Sequence, residues 1–163
     1  MTSGGGGPGA RISLRLAHAD DVAAMAAIES HAFTDPWPAS AFRELLGEPH
    51  VRVTVAEDAA GVLCGYCVLL HVVDEGEIAN VAVLPSRRRR GVGSRLLDDA
   101  LAAAAERGVD SVYLEVRVSN DSARSLYASR GFLPVGRRRA YYREPLEDAL
   151  VLRWQLVGDT EAP

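Results

Sequence analysis

The stretch EIANVAVLPSRRRRGVG, residues 77–93, decides how the rest of the chain is read. Its first part, 77–83, is rich in β-branched residues and stops before Pro85, which predicts a strand. Gly91-Val92-Gly93 then leads into an amphipathic run beginning Ser94-Arg95-Leu96-Leu97, which predicts a helix. Chain that leaves a strand and enters a helix through glycines exposes several unpaired backbone N–H groups at the positive end of the helix dipole. Such groups suit a phosphate. Arg88, Arg89 and Arg90 add charge beside that nest. The stretch reads as a site for a phosphorylated carrier molecule.

Other readings of the same residues fare worse. A dinucleotide-binding turn would place its third glycine where Leu96 stands, and it also needs an acidic residue on a following strand. A P-loop needs Gly-Lys-Ser/Thr, and the chain has no lysine. A solvated basic loop before an ordinary helix would account for the arginine run alone, but not for the residues downstream.

At 163 residues the chain is expected to form one domain, able to bury roughly 70% of its unfolded surface without staples. With 48% hydrophobic and 25% charged residues it has the composition of a soluble globular protein. Its net charge of −4 argues against a general nucleic-acid binder, although all 18 basic residues are arginine. No apolar run approaches the ~20 residues that span a bilayer, and the first residues lack an apolar signal core. A cytoplasmic location without membrane attachment is therefore expected.

Cys64-Gly65-Tyr66-Cys67 has the spacing of a metal or redox motif, but the surrounding 62–73 reads as a strand. Residues three apart on a strand lie ~10 Å apart on opposite faces, beyond the reach of a disulfide. No second cysteine pair completes a zinc site, and His18, His31, His50 and His71 lack ligand spacing. The cysteines and histidines are expected to be structural, with no metal bound.

In chain order, 1–10 reads as a flexible tail, 11–16 as a strand, and 22–31 as a helix capped by Asp20 or Asp21. A second short helix spans 38–46, with Pro38 near its first position and Gly47 past its end. Strands over 50–57, 62–73 and 77–83 should form an antiparallel meander. The helix after Gly93 carries Leu96, Leu97, Ala100, Leu101 and Ala104 on one face and stops at Gly108. A strand over 111–116 then completes a right-handed parallel crossover. Ser119-Asn120-Asp121 supplies caps for a helix over 122–130, and 135–142 with 149–154 form a last hairpin around Pro145. Domain boundaries are expected at 11–156, with a second tail over 157–163.

Several ordered motifs now bear comparison with a known family. Val83-x-Pro85 followed by Arg88-Arg89-Arg90-Gly91-Val92-Gly93 resembles the acetyl-CoA signature Q/R-x-x-G-x-G/A of the GCN5-related N-acetyltransferase (GNAT) family. Leu114-Glu115-Val116-Arg117-x-Ser119-Asn120, Leu126-Tyr127 and Gly131-Phe132 are similar to the rest of that core. Gly136-Arg137-Arg138-Arg139-x-Tyr141-Tyr142 and Glu147-Asp148-Ala149 resemble the ending of its RimI-type branch. The likeness covers about 12–154. It implies a single-domain α/β GNAT fold, a mixed and mostly antiparallel sheet of about seven strands flanked by about four helices.

The resemblance further implies acetyl-CoA as co-substrate and a protein N-terminal peptide as partner, that of a small-subunit ribosomal protein beginning with alanine. Backbone groups of Val81, Ala82 and Val83 would pair with the pantetheine arm, one N–H polarising the thioester carbonyl. Arg88, Arg89, Arg90, Gly91, Val92, Gly93 and Ser94 would cradle the pyrophosphate. Asn120 would touch the coenzyme, Glu115 would act as general base, and Tyr127 would act as general acid beside the coenzyme. Arg88 stands where many members carry Gln, a departure of small consequence if backbone N–H groups do the binding.

The chemistry asks for these residue types. A peptide α-amine has an ordinary pKa of ~7.7–8.0, so much of it must lose a proton before it can attack. A carboxylate at a strand end can take that proton directly or through one water. A phenol, mostly protonated at neutral pH, can donate to a departing thiolate. Taken alone, Glu115 reads as a strand-end glutamate paired with Arg117 or another arginine, and Tyr127 reads also as a ring between helix and sheet. Phe33, Trp37, Tyr141 and Tyr142 are candidates to line a peptide groove, and Arg137–Arg139 reads as a solvated strand edge. Rival functions are the same fold acting on lysine side chains, polyamines or small-molecule amines, a non-catalytic acyl-CoA-binding module, and an arginine-rich nucleic-acid binder.

Overall fold

The computed structural model describes residues 11–157. The expected tails lie outside these residues, apart from Val157, which is exposed beyond the last strand. Among the described residues the chain forms β1 (Ser13–Leu16), α1 (Val22–Ala32), α2 (Ala39–Leu46), β2 (Val51–Glu57), β3 (Leu63–Val72) and β4 (Glu75–Val83). It continues with α3 (Val92–Glu106), β5 (Ser111–Arg117), α4 (Asp121–Ser129), β6 (Leu133–Arg143) and β7 (Leu146–Gln155). The strands make one seven-stranded mixed sheet in the order β1-β2-β3-β4-β5-β7-β6.

β1 runs antiparallel to β2, and β5 and β6 each run antiparallel to β7. β2, β3 and β4 are successive neighbours joined by short turns, which is the expected meander. β4 and β5 pair in parallel through Glu75↔Ser111, Gly76↔Val112 and Glu77↔Tyr113, as a strand–helix–strand crossover requires. Both strands continue past these three pairs, β4 to Val83 and β5 to Arg117.

Among the described residues, contacts gather into two compact units: 11–68 with 80–97, and 69–79 with 98–157. In the first, α1 turns Val22, Met25 and Ile28 inward at helical spacing, and Phe42 of α2 is fully buried. Val55, Cys64, Tyr66, Val68 and Leu96 complete that core. Each fully buried side chain of this size contributes about 1.5–3 kcal/mol. Cys64 and Cys67 are both buried, as strand residues should be, and burial pushes the Cys64 thiol up. Gly65 between them is required by crowding. A Cβ there would lie 2.7 Å from the Ala82 carbonyl oxygen and 3.2 Å from Leu96 Cδ1.

In the second unit, Val112, Leu114 and Val116 alternate inward along β5, with Leu152 of β7, which pairs with Leu114, and with Phe132; Ala149, paired with Arg117, is buried on the other face. The five positions expected on the apolar face of α3 are all buried, Leu96 and Leu97 belonging to the first unit and Ala100, Leu101 and Ala104 to the second. Asn120 caps α4 as expected, its Oδ1 accepting from the Ala123 N–H at 3.2 Å. The β6–β7 turn contains Pro145 after a cis peptide bond.

Three local expectations are corrected. Asp21 lies at the start of α1, but its carboxylate does not cap that helix. It accepts the Arg15 guanidinium in a two-pronged pair at 2.8 and 2.9 Å, together with the His18 N–H at 2.9 Å. Pro38 is the residue before α2 rather than its first position. The third helix starts at Val92, earlier than the glycine pair suggests. Gly91 already breaks the chain with φ +77°, and Gly93 sits in the first turn, where backbone N–H groups have no intrahelical partner.

Candidate active site

The arginine–glycine turn belongs to the first unit. A short 3-10 turn, Pro85–Arg87, ends β4, and the chain then passes through Arg89 at φ +64° and Gly91 at φ +77°. Left-handed residues in a turn can aim backbone N–H groups toward an anion, and the N-terminus of α3 follows directly after them. Gly91 is needed for its backbone conformation, since a Cβ there would meet open space. The arginines do not act alike. Arg87 donates to Asp58 at 2.7 Å, and Arg88 Nε donates to the Val83 carbonyl at 3.2 Å. Arg95 donates to the carbonyl of Ile12. The Arg87 pair fixes the start of the turn, because Asp58 also accepts the N–H groups of Ala60 and Val62.

Val81, Ala82 and Val83 form the last residues of β4, with Ala82 buried and its neighbours half-buried. Just before them, Asn80 takes part in a buried cluster that sequence reading missed. Glu29 of α1 is 1% exposed, and its carboxylate accepts from the Tyr66 hydroxyl, from Asn80 Nδ2 at 2.6 Å and from the Trp37 N–H at 3.0 Å. Burial pushes the Glu29 carboxyl above its ordinary range, against the three donors. Glu29 lies four residues past buried Met25, on the apolar stripe, and that placement was its detectable signal. Trp37 packs on Phe42 with ring centroids 5.7 Å apart, and Phe42 meets Tyr66 edge-on at 5.3 Å. Phe33, at the end of α1, is 37% exposed.

The second unit holds the predicted acid–base residues. Glu115 projects from β5, half-buried, and its Oε1 accepts from Arg138 Nε of β6 at 3.1 Å. The arginine-paired reading of Glu115 is therefore met in the structure, by Arg138. Arg137 is likewise committed, donating to Asp148 at 2.7 Å, so the expected solvated arginine edge is in two of its three residues an ion-paired one. Ala140, at φ +50°, marks a register shift in β6 and donates its N–H to the same Asp148 at 2.8 Å.

Glu77 was also missed by sequence reading. It pairs with Tyr113 in the parallel ladder, so Glu115, two residues on from Tyr113, points to the same face. Glu77 is exposed as a residue, yet desolvation of its carboxyl, then the Glu115 charge, push it above the ordinary range, with Arg138 opposing. Tyr141 and Tyr142 meet edge-on at 5.0 Å. Desolvation leads the rise of both phenols; Glu115 and Glu77 add to it at Tyr141, and Tyr141 and then Glu115 at Tyr142, which is pushed up to about 12. Two carboxylates, two phenols and one guanidinium thus share one electrostatic neighbourhood.

Arg117 fastens the hairpin turn to this neighbourhood. Its guanidinium lies 4.3 Å from the Tyr142 ring centroid and donates to the Pro145 carbonyl at 2.9 Å and to Glu147 at 3.3 Å. Glu147 also accepts the Ser119 N–H and hydroxyl, both at 2.9 Å. The Ser119 hydroxyl leads the causes that hold the Glu147 carboxyl below its usual range. Asn120 follows directly, its side-chain oxygen engaged in capping α4. Tyr127 is buried on α4 with its ring 5.8 Å from that of Phe132. An open groove of about 430 Å³ beside α4, lined by Arg124, Ala128, Phe132 and Leu152 among others, includes none of the predicted site residues.

Comparison with known proteins agrees with this architecture. Residues 22–132 match the acetyltransferase (GNAT) family model. The chain is 40% identical over 139 residues to the N-alpha-acetyltransferase RimI of Mycobacterium tuberculosis, covering 82% of this chain and 85% of that protein. It is 34% identical over 134 residues to the ribosomal protein bS18-alanine N-acetyltransferase of Escherichia coli, covering 81% and 89%. The crystal structure of the Escherichia coli ribosomal-protein-alanine N-acetyltransferase matches with a TM-score of 0.83 at 28% identity, over 94% of this chain and 100% of that one. One α/β fold thus spans nearly the whole chain, and the chain belongs to the GNAT acetyltransferase family, in its RimI-type N-acetyltransferase branch.

Proposed function

We propose that this protein is a cytoplasmic enzyme that moves acetyl from acetyl-CoA to the α-amine of a protein N-terminus, the N-terminal alanine of a small-subunit ribosomal protein. The observation that carries the reading is the neighbourhood of Glu115: a half-buried carboxylate with Glu77 on the same face, flanked by Tyr141 and Tyr142. Two carboxylates against one guanidinium leave negative charge for an incoming ammonium, and aromatic rings accept the peptide behind it.

The pyrophosphate of acetyl-CoA lies on the N–H groups of residues 88–94, for which the positive φ angles of Arg89 and Gly91 are suited. Val81, Ala82 and Val83 offer strand-edge N–H and C=O groups to the pantetheine arm, and one N–H polarises the thioester carbonyl. Asn120 contributes a coenzyme contact from the start of α4. Phe33 and Trp37 in the first unit, and Tyr141 and Tyr142 in the second, are the aromatic residues offered to the acceptor peptide.

Glu115 takes a proton from the α-ammonium, and the free amine attacks the thioester carbon. The C–N bond forms, the nitrogen gives up its second proton to solvent, the C–S bond breaks, and Tyr127 gives its phenolic proton to the departing sulfur and is reprotonated from solvent. Neither step needs a covalent acyl-enzyme. Burial raises the Cys64 thiol, which disfavours a thiolate nucleophile.

The test is intact-mass analysis after incubation with acetyl-CoA and peptides that begin with Ala, Ser or Met, beside a peptide with a blocked N-terminus and one internal lysine. Acetylation of the free α-amine of the alanine peptide is expected. Acetylation confined to the internal lysine would replace the N-terminal acceptor with a side-chain one.

A further inference from the structure

We propose that Glu29 is a positioning residue for the acceptor: it fixes the Trp37 turn relative to the end of β4, and so sets how the acceptor peptide is held. This rests on the functional reading above for the identity of the acceptor and for the groove role of Trp37.

Residues 33–38 connect α1 to α2, and Pro36 and Pro38 flank Trp37. Neither proline has an N–H, so Trp37 carries the backbone donor of that tripeptide, and Glu29 Oε1 accepts it at 3.0 Å. The other carboxylate oxygen reaches the sheet, accepting from the Tyr66 hydroxyl on β3 and from Asn80 Nδ2 on β4 at 2.6 Å. The ring contacts close a circuit: Trp37 lies on Phe42, Phe42 meets Tyr66, and the Tyr66 hydroxyl returns to Glu29. One side chain thus joins α1, the α1–α2 connection, β3 and β4, and its β4 contact directly precedes Val81.

A carboxylate that is 1% exposed on an apolar helix stripe is an expensive way to hold a core together. An apolar side chain of the same volume is often as stabilising or more so, whereas fixed hydrogen-bond geometry is what the carboxylate adds. The turn it fixes carries an aromatic residue at the candidate groove, and the strand it grips ends in the backbone groups offered to the thioester. Small misplacements of such elements are costly in rate, because reacting atoms must meet within a narrow range of geometry.

Steady-state kinetics of Glu29→Gln and Glu29→Asp test this. Glutamine keeps the length and an acceptor for the Trp37 N–H, while the Tyr66 hydroxyl and the Asn80 amide can reorient to its NH₂ group. Aspartate keeps the charge but draws the acceptor back by one methylene. The aspartate variant is expected to raise the peptide KM about tenfold with acetyl-CoA KM within about twofold, and glutamine to remain within about threefold of wild type on both. Equal rises in both KM values, or an impaired glutamine variant beside a normal aspartate one, would overturn the proposal.

If wild type acetylates only lysine side chains, the N-terminal reading fails and the same KM split is read on the lysine peptide. If it acetylates neither peptide, iodide quenching decides. Trp37 and Trp154 are the two tryptophans, so Trp37 reports alone in a Trp154→Phe background. Greater quenching with Asp than with Gln or wild type supports the positioning role, and equal quenching in all three overturns it. Thermal midpoints of each variant confirm that the folded protein is being compared.

Discussion

Arg138 of β6 and Glu115 of β5 are joined across β7, which lies between their strands, by a 3.1 Å bond from Nε to Oε1. Both side chains therefore reach over the same face of the sheet, and the pair is solvent-accessible on the arginine side, where the guanidinium side chain is 56% exposed. An exposed pair of this kind is weak, worth about 0–1 kcal/mol, so an incoming ammonium can replace the guanidinium at little cost.

The same arginine restrains Glu77, whose carboxyl is raised by desolvation and by Glu115 and lowered by Arg138. Arg138→Gln removes the opposing charge and should move the Glu77 titration to higher pH. Carboxyl carbon shifts followed by NMR across the acidic range measure it. An unchanged or lower midpoint would show that Arg138 does not act on Glu77.

Gly91 holds φ +77° with open space where a Cβ would stand. Gly91→Ala should therefore cost about 1–2 kcal/mol of backbone strain without a steric clash. If the nest grips the pyrophosphate, the same change weakens coenzyme A binding by calorimetry more than Arg90→Gln does, because the N–H directions are lost. Arg88 is a poorer comparison, since it is tied to the Val83 carbonyl. Equal losses in the two variants would mean that side-chain charge, not the backbone, does the binding.

Asp21 is a test of the fold rather than of the site. Arg15 holds its carboxyl below the ordinary carboxylate range, mainly through the two-pronged hydrogen bond. A carboxyl depressed in the folded state stabilises above its unfolded pKa, and that stability is lost as pH falls through the folded value. Asp21→Asn should lower stability at pH 7 by about 1–3 kcal/mol, and the gap should close below about pH 4. Thermal midpoints of both proteins against pH check this. A gap that stays constant down to pH 2 would contradict the assignment.

The β4–α3–β5 crossover was legible because each part has its own periodicity: alternation in the strands, a single apolar face from Leu96 to Ala104, and Gly91 and Gly108 as punctuation. The start of α4 was legible through Asn120 for the same local reason. What escaped depends on residues far apart in the chain. Asp21 has the chemistry of a cap, but Arg15 competes for it from β1. The Arg138–Glu115 pair requires the register of three strands and the irregularity near Ala140, none of which leaves a local mark. Glu29 sits on the apolar stripe of α1, which is a local signal of burial, but its partners Trp37, Tyr66 and Asn80 come from distant parts of the chain.

The most direct test of the central claim is single-turnover transfer, with acetyl-CoA prebound and an alanine-first peptide mixed in. Removing one general base typically costs about 10²–10⁴-fold, so Glu115→Gln should slow amide formation by that factor while coenzyme A affinity by calorimetry stays at the wild-type value. A Glu115→Gln enzyme that forms the amide at the wild-type rate would contradict the role assigned to this carboxylate.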